Sequence, residues 1–118
     1  MKTKSYKDLI VWQKSMELVV LCYKLVELLP SKETYAISNQ ITRAAVSIPS
    51  NIAEGYRRNG RLEYLHFCGI SAGSAAELET QLLIVQKVYK TNIDDMLLLV
   101  TEVQKMLYAL IEGLKTKP

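Results

Sequence analysis

Gln40-Ile-Thr-Arg-Ala-Ala-Val-Ser-Ile-Pro-Ser-Asn-Ile-Ala-Glu-Gly55 is the stretch whose reading decides the fold. Ile37, Ile41, Ala44, Ile48 and Ile52 are spaced 4, 3, 4 and 4, the period of one helix face. Small residues fill the positions between them. A second stretch of small residues follows, Phe67-Cys-Gly-Ile-Ser-Ala-Gly-Ser-Ala-Ala-Glu77, again inside a helical pattern. Small side chains on two helices let their backbones approach closely, so the pair reads as a tight helix–helix seam. The glycines Gly69 and Gly73 are expected to serve that close approach; no strand precedes them, so they do not form a phosphate-binding loop.

Pro49 admits two readings. A proline ring removes one backbone hydrogen bond, here leaving the Ala45 carbonyl without its donor, and bends a helix. The segment is either one helix of about 33–57 kinked at Pro49 or a helix broken before Ile48. The apolar period runs through the proline, which favours the kinked helix. Ser47 or Ser50 can satisfy nearby carbonyls by back-bonding.

Working outward, Leu9, Trp12, Met16, Val19, Tyr23 and Val26 are spaced 3, 4, 3, 4 and 3, a heptad seam on a first helix of about 7–29. Ser5, with Asp8 three residues on, gives it an N-terminal signal close to a capping box, and Pro30 ends it. Ser31 and Thr34 with Glu33 mark the start of the second helix. Arg57-Arg-Asn-Gly-Arg61 is a turn, because Asn-Gly punctuates helices. Tyr64, Cys68, Ser71, Ala75, Leu78, Leu82, Val85 and Tyr89 then define a third helix of about 61–90. Asn92 caps a fourth helix of about 93–114 with Met96, Val100, Val103, Leu107, Leu110 and Leu114 inward, and the tail Lys115-Thr-Lys-Pro118 is expected to fray.

Four amphipathic helices with short links predict an all-α, antiparallel up-down-up-down bundle, left-handed because the seams are heptads. With 118 residues, 49% of them hydrophobic and 23% charged, the chain reads as a single domain over 1–118. Helix four carries Leu97, Leu98, Leu99, Met106 and Ile111 besides its seam, and helix one adds Ile10, Val11, Val20 and Leu21. That is more apolar surface than one seam requires, so self-association is expected.

Chemistry is sparse. Cys22 and Cys68 lie far apart and His66 is the single histidine, so no metal-ligand spacing or cofactor motif exists, and the cysteines read as packed, reduced thiols. Ser71 and Ser74 have no base at a meaningful spacing. No signal-peptide core or long apolar run is present, which predicts a cytoplasmic protein without a membrane span. Asn51, Glu54 and Glu77 are expected to form an internal polar clasp, bonding a neighbouring helix or Arg43. Lys and Arg outnumber Asp and Glu by 15 to 12, a net charge of +3. Arg57, Arg58 and Arg61 form the one dense basic cluster, flanked by Tyr56 and Tyr64, and Arg43 stands apart. Such a cluster either neutralises phosphates, with tyrosines stacking on bases, or is a solvated turn.

Three ordered blocks carry a family resemblance: Tyr6-Lys-Asp-Leu-Ile-Val-Trp-Gln13; Gln40 with Arg43-Ala-Ala-Val-Ser-Ile-Pro-Ser-Asn-Ile-Ala-Glu-Gly55; and Ala72-Gly-Ser74 with Glu77-Leu-Glu-Thr-Gln-Leu82. Over about Tyr6 to Leu110 the chain resembles the bacterial 23S rRNA intervening-sequence proteins. The resemblance implies a left-handed bundle assembling as a ring-shaped homopentamer, with no established catalytic role. Some members are encoded in insertions within 23S rRNA genes. A related accessory protein of diversity-generating retroelements forms a basic pentameric barrel that binds nucleic acid and a reverse transcriptase. Arg43 and Arg58 fall on basic positions of the family pattern. Thr42 departs from a frequent double arginine, and Arg57 stands where relatives often have glycine. The expectation is therefore a non-enzymatic homopentamer contacting RNA or DNA through Arg57, Arg58, Arg61 and Arg43. The alternative is a protein-interaction scaffold with no nucleic-acid contact.

Overall fold

The computed structural model describes residues 4–116. After a short 3-10 turn at Tyr6–Asp8, four helices follow: α1 (Ile10–Leu28), α2 (Ile37–Arg57), α3 (Arg61–Tyr89) and α4 (Asp94–Thr116). A second 3-10 turn, Ser31–Glu33, joins α1 to α2. Each helix packs on its chain neighbours, and α1 also meets α4, so the four close into a ring. Cross-helix pairs fix the directions. Ser47 meets Ser74, the Ile48 carbonyl meets Ser71 and Gly55 meets Phe67, so position falls on α3 as it rises on α2. Likewise Glu79 reaches Gln104 and Arg61 reaches Leu114 between α3 and α4. The result is an antiparallel up-down-up-down bundle, 48 × 23 × 21 Å.

One core cluster runs through it. Leu18, Ile41, Ile48, Ile52, Leu78, Leu82 and Leu107 are fully buried, each such side chain contributing about 1.5–3 kcal/mol by leaving water. The seams expected on helices two, three and four are the buried ones, with Ile37, Tyr64, Tyr89, Leu110 and Leu114 half-buried at the ends. Helix one is different. Its core residues are Val11, Ser15, Leu18, Cys22 and Leu25, one position before the expected heptad and therefore rotated from it by about 100°. Trp12 and Val19 are half-buried, and Met16 and Tyr23 are exposed. Val11, expected as surplus, belongs to the core.

Two helix starts are corrected. The N-terminal turn is separate because Leu9 is extended, at φ −73° and ψ 127°. Ser5 accepts from the Lys7 amide and Asp8 from the Lys4 amide, so the predicted capping pair closes the turn, and Gln13 ties it to α1 through the Lys7 carbonyl. Helix α2 begins at Ile37 rather than near 33, since Ala36 is non-helical at φ −121° and ψ −114°. The Tyr89 hydroxyl donates to the Glu33 carboxylate, pinning this link to the far end of α3. That bond raises the Tyr89 pKa, with burial and the nearby carboxylate charge adding to it.

Pro49 lies buried within α2, which is not broken there. The Ser71 hydroxyl donates to the Ile48 carbonyl at 2.5 Å, so α3 supplies a donor beside the proline. Ser47 does not back-bond; Asn51 Nδ2 donates to both its carbonyl and its hydroxyl, at 2.8 and 2.9 Å.

The small-residue seam joins α2 to α3, the most extensive pairing in the bundle. A Cβ on Gly55 would lie 2.8 Å from Phe67 Cβ and 3.3 Å from the Tyr64 carbonyl oxygen. Gly69 and Gly73, in contrast, have nothing within 4 Å of an added Cβ. They face outward, and Cys68, Ser71 and Ala75 make the approach instead. At the α2–α3 turn Gly60 takes φ 138°, open to glycine and strained for other residues. Helix α4 continues through Lys115 and Thr116; the rest of the expected tail, Lys117 and Pro118, lies outside the described residues, as do the first residues of the expected domain. Among the described residues no helix is long and apolar enough to cross a membrane.

Candidate functional site

The α2–α3 turn sits at one end of the bundle with the N-terminal turn and the end of α4. There Trp12, Tyr6, Tyr56 and Tyr64 form an edge-to-face chain, with ring centroids 5.5, 6.5 and 6.0 Å apart. Such pairs add about 0.5–1.5 kcal/mol beyond area burial. The tyrosines flanking the basic cluster are thus half-buried packing residues, not free stacking platforms. Burial, with smaller contributions from Cys68 and Tyr56, pushes the Tyr64 hydroxyl up to about 12.

The three clustered arginines have separate employments. Arg58 lies 2.8 Å from Glu54 and 3.9 Å from Glu63, and its guanidinium sits 5.1 Å from the Phe67 ring centre. Arg61 donates to the Leu114 carbonyl at 2.7 Å, placing a cation at the negative end of α4. Arg57 is exposed and has no partner among the described residues. The turn therefore offers one uncommitted arginine per chain, where three were expected. Lys4, Lys7 and Lys115 share this end.

The expected clasp is also redistributed. Glu54 is an exposed ion-pair partner of Arg58, four residues on and just past the end of α2, not an internal fastener. Asn51 acts within α2 by holding Ser47, and the link across to α3 is the 2.7 Å contact between the Ser47 and Ser74 hydroxyls. The spacing of Ser47 and Ser74 within the two small-residue stretches was the available signal for that pair. Glu77 is exposed and makes no hydrogen bond or ion pair among the described residues.

Glu77 instead lines a groove of about 520 Å³ between α2 and α3, with Asn39, Gln40, Arg43, Ser47, Ser74 and Gln81. Arg43 is exposed there and likewise has no partner among the described residues. Gln81 is 6% exposed, and its Oε1 is buried without a hydrogen-bond partner. Gln81 carried no functional reading in the sequence, since its polarity becomes conspicuous only when the residue proves buried.

Apolar residues also reach the surface. Tyr6, Trp12, Met16, Val19, Val46 and Pro49 line a shallow cleft of about 320 Å³ between α1 and α2. Leu83, Ile84 and Val88 on α3 and Leu98 on α4 are also exposed. The thiols offer no reactive site: burial pushes Cys22 up to about 12 and Cys68 up to about 11.

The geometry defines a compact all-α protein of the antiparallel four-helix-bundle class, with polar and apolar grooves on its flanks and a basic turn at one end. The family model described as 23S rRNA-intervening sequence protein matches residues 7–109, and the chain belongs to that family. A solved relative in fold is the crystal structure of a protein of unknown function from the S23 ribosomal protein family of Bacteroides thetaiotaomicron VPI-5482. Its TM-score is 0.80 and its identity 25%, over 87% of this chain and 99% of that one. No curated protein matches the sequence. Neither the family description nor the neighbour's names an enzymatic activity.

Proposed function

We propose that the chain is a non-enzymatic, cytoplasmic bundle protein that assembles as a homopentamer and binds RNA or DNA through a basic surface. The observation that supports the assembly is the apolar cleft between α1 and α2, together with exposed apolar residues on the other two helices, Leu83, Ile84 and Val88 on α3 and Leu98 on α4. A two-fold dimer needs one self-complementary patch. Apolar residues on different helices suit head-to-tail packing, which forms a ring where the rotation between copies closes.

The nucleic-acid reading draws on the charge at the turn end. Lys4, Lys7, Arg57, Arg58, Arg61 and Lys115 face Asp8, Glu54, Glu63 and Glu112 there, leaving two positive charges per chain. Five copies at +3 bring the whole ring to +15. Arg57 is the leading phosphate contact because none of the described residues competes for it, and Arg43 is the second. Arg58 and Arg61 contribute charge while held in place. Recognition of this kind reads phosphates, with little base discrimination.

Sedimentation of the purified protein tests the assembly, and a monomer at all concentrations would end that reading. Filter binding to RNA and DNA across a salt series tests the second. Affinity should fall steeply with salt and weaken in Arg57→Ala; a flat response would end it. The internal engagement of Arg58 and Arg61 favours the scaffold alternative. That reading gains if a protein partner is bound equally well by the Arg57→Ala variant.

A further inference from the structure

The α2–α3 groove holds complementary groups that do not meet. The pairing of Ser47 with Ser74, and of the Ile48 carbonyl with Ser71, sets the antiparallel register of the two helices. Continuing that register one turn places Arg43 across from Glu77, and a further turn places Gln40 across from Gln81. All four line the same cavity, yet no ion pair closes between Arg43 and Glu77 and no hydrogen bond between Gln40 and Gln81. Ser47 and Ser74 floor one end; Tyr35, 95% exposed, stands at the other.

Two features point to a ligand. First, an unpaired guanidinium and an unpaired carboxylate face one space, which suits a molecule carrying both an anion and N–H donors. Second, the Gln81 side chain is more than nine-tenths buried and its carbonyl oxygen lacks a donor. Leaving such a group unsatisfied costs about 1–3 kcal/mol; the oxygen is closed to solvent, so a donor bound in the groove would remove that penalty once the amide turns toward it. The cavity, at about 520 Å³, exceeds what a free amino acid or inorganic phosphate fills and lies within the about 300–1,000 Å³ of sites for larger organic ligands.

We propose that this groove binds one nucleotide, with its phosphate on Arg43, its base edge on Glu77 and Gln81, and Tyr35 available to stack. Guanine is the base it should prefer. Guanine presents two adjacent N–H donors on its pairing edge, from the ring nitrogen and the exocyclic amine, and a carboxylate accepts from both. Adenine and cytosine offer a carboxylate only their amino group, and uracil only its ring N–H. The nucleotide comes either free or as an unstacked base of a single strand, which proteins commonly read by splaying it out. The proposal rests on the nucleic-acid reading only for the second of these sources. The groove lies well away from the basic turn: Arg43 and Arg57 are 14 residues apart on α2, about 21 Å along the helix.

The test is a titration of the intact protein with GMP, AMP, CMP, UMP and inorganic phosphate by calorimetry and ligand-observed NMR, at up to millimolar ligand. A short single-stranded RNA and a blunt RNA duplex form separate arms. Saturable binding with GMP tightest, weakened about tenfold or more by Glu77→Gln and by Arg43→Gln, is the expected result. Both variants change exposed residues without internal bonds, so folding is retained. Absence of saturable mononucleotide binding, equal binding of all four, or indifference to Glu77→Gln would overturn the proposal. If the duplex still binds with a steep salt dependence in that case, the basic-surface reading survives alone. If GMP binds and the duplex does not, the groove stands without it. Preference for the single-stranded RNA over GMP identifies the strand as the source, and the reverse identifies the free nucleotide.

Discussion

Replacing Gly55 by alanine should destabilise the bundle, and the same replacement at Gly73 should stabilise it. Both residues lie in helices, where exchanging glycine for alanine gains about 0.8–1.0 kcal/mol from backbone propensity alone. The surroundings decide the sign. At Gly73 an added Cβ meets nothing within 4 Å, so the gain is realised. At Gly55 it meets Phe67 Cβ at 2.8 Å, Tyr64 Cδ1 at 3.1 Å and the Tyr64 carbonyl oxygen at 3.3 Å. Phe67 Cβ and the carbonyl are fixed to the α3 backbone, so relief requires the two helices to separate. Overpacking of this kind costs about 1–3 kcal/mol, which more than offsets the propensity gain. The two variants should therefore differ by about 2 kcal/mol, or roughly 8 °C in Tm for a chain of this size. Urea and thermal unfolding by circular dichroism at one fixed protein concentration read the difference, the concentration being fixed because assembly shifts Tm. A Gly55→Ala variant as stable as Gly73→Ala would refute the close approach of α2 and α3.

Gln81→Leu should raise stability by about 1–3 kcal/mol by removing the unpartnered buried oxygen, and should abolish GMP binding; a lower Tm would show that the amide is satisfied in solution. Stability should fall as pH rises from the 9.0 of a free thiol toward the value of about 12 reached by Cys22 in the fold. Its folded pKa is raised, so the native state holds a proton that the unfolded chain releases, and ΔG drops by about 1.4 kcal/mol per pH unit for that group. Cys22→Ala should flatten the alkaline slope by that amount, as urea titrations at successive pH values would show; an unchanged slope would contradict the burial of the thiol. Arg61→Ala should lose about 1 kcal/mol and loosen the end of α4 by unpairing the Leu114 carbonyl. Faster amide exchange confined to the last turns of α4 is the expected signature, and unaltered exchange would count against it.

The residues that made the fold legible are those whose environment follows from local pattern. Ile41, Ala44, Ile48 and Ile52 repeat on one face, and each is buried. Pro30 and Asn59-Gly60 interrupt the chain where helices end. Side-chain partners were less legible, because they depend on which elements share an end of the bundle. Arg58 could be matched with Glu54 from spacing alone, four residues apart at the end of a helix. Arg61 could not be matched with a carbonyl 53 residues away. Gln81 looked like any polar helical residue until α2 covered it.

Helix one shows why periodicity identifies a helix without identifying its inner face. It carries two apolar stripes offset by a single residue. The stripe of larger side chains, Leu9, Trp12, Met16, Val19, Tyr23 and Val26, reads as the better seam, yet Val11, Ser15, Leu18, Cys22 and Leu25 are inside. The reason lies on α2. Its buried residues include Ala44, Ala45, Pro49 and Gly55, a thin inner face that suits small core residues such as Ser15 and Cys22 on α1. Bulk displaced from a thin core must go elsewhere, and on α1 it goes to the flank beside Val46 and Pro49. A bundle that needed only its own core would have polar residues on that flank. Trp12 and Val19 pack partly against the core, whereas Met16 and Tyr23 stay exposed and are what a second copy in the proposed assembly would bury. Met16→Glu with Tyr23→Glu should therefore leave the helical content intact while lowering the sedimenting mass. An unchanged oligomer would move the association face to α3 and α4 alone.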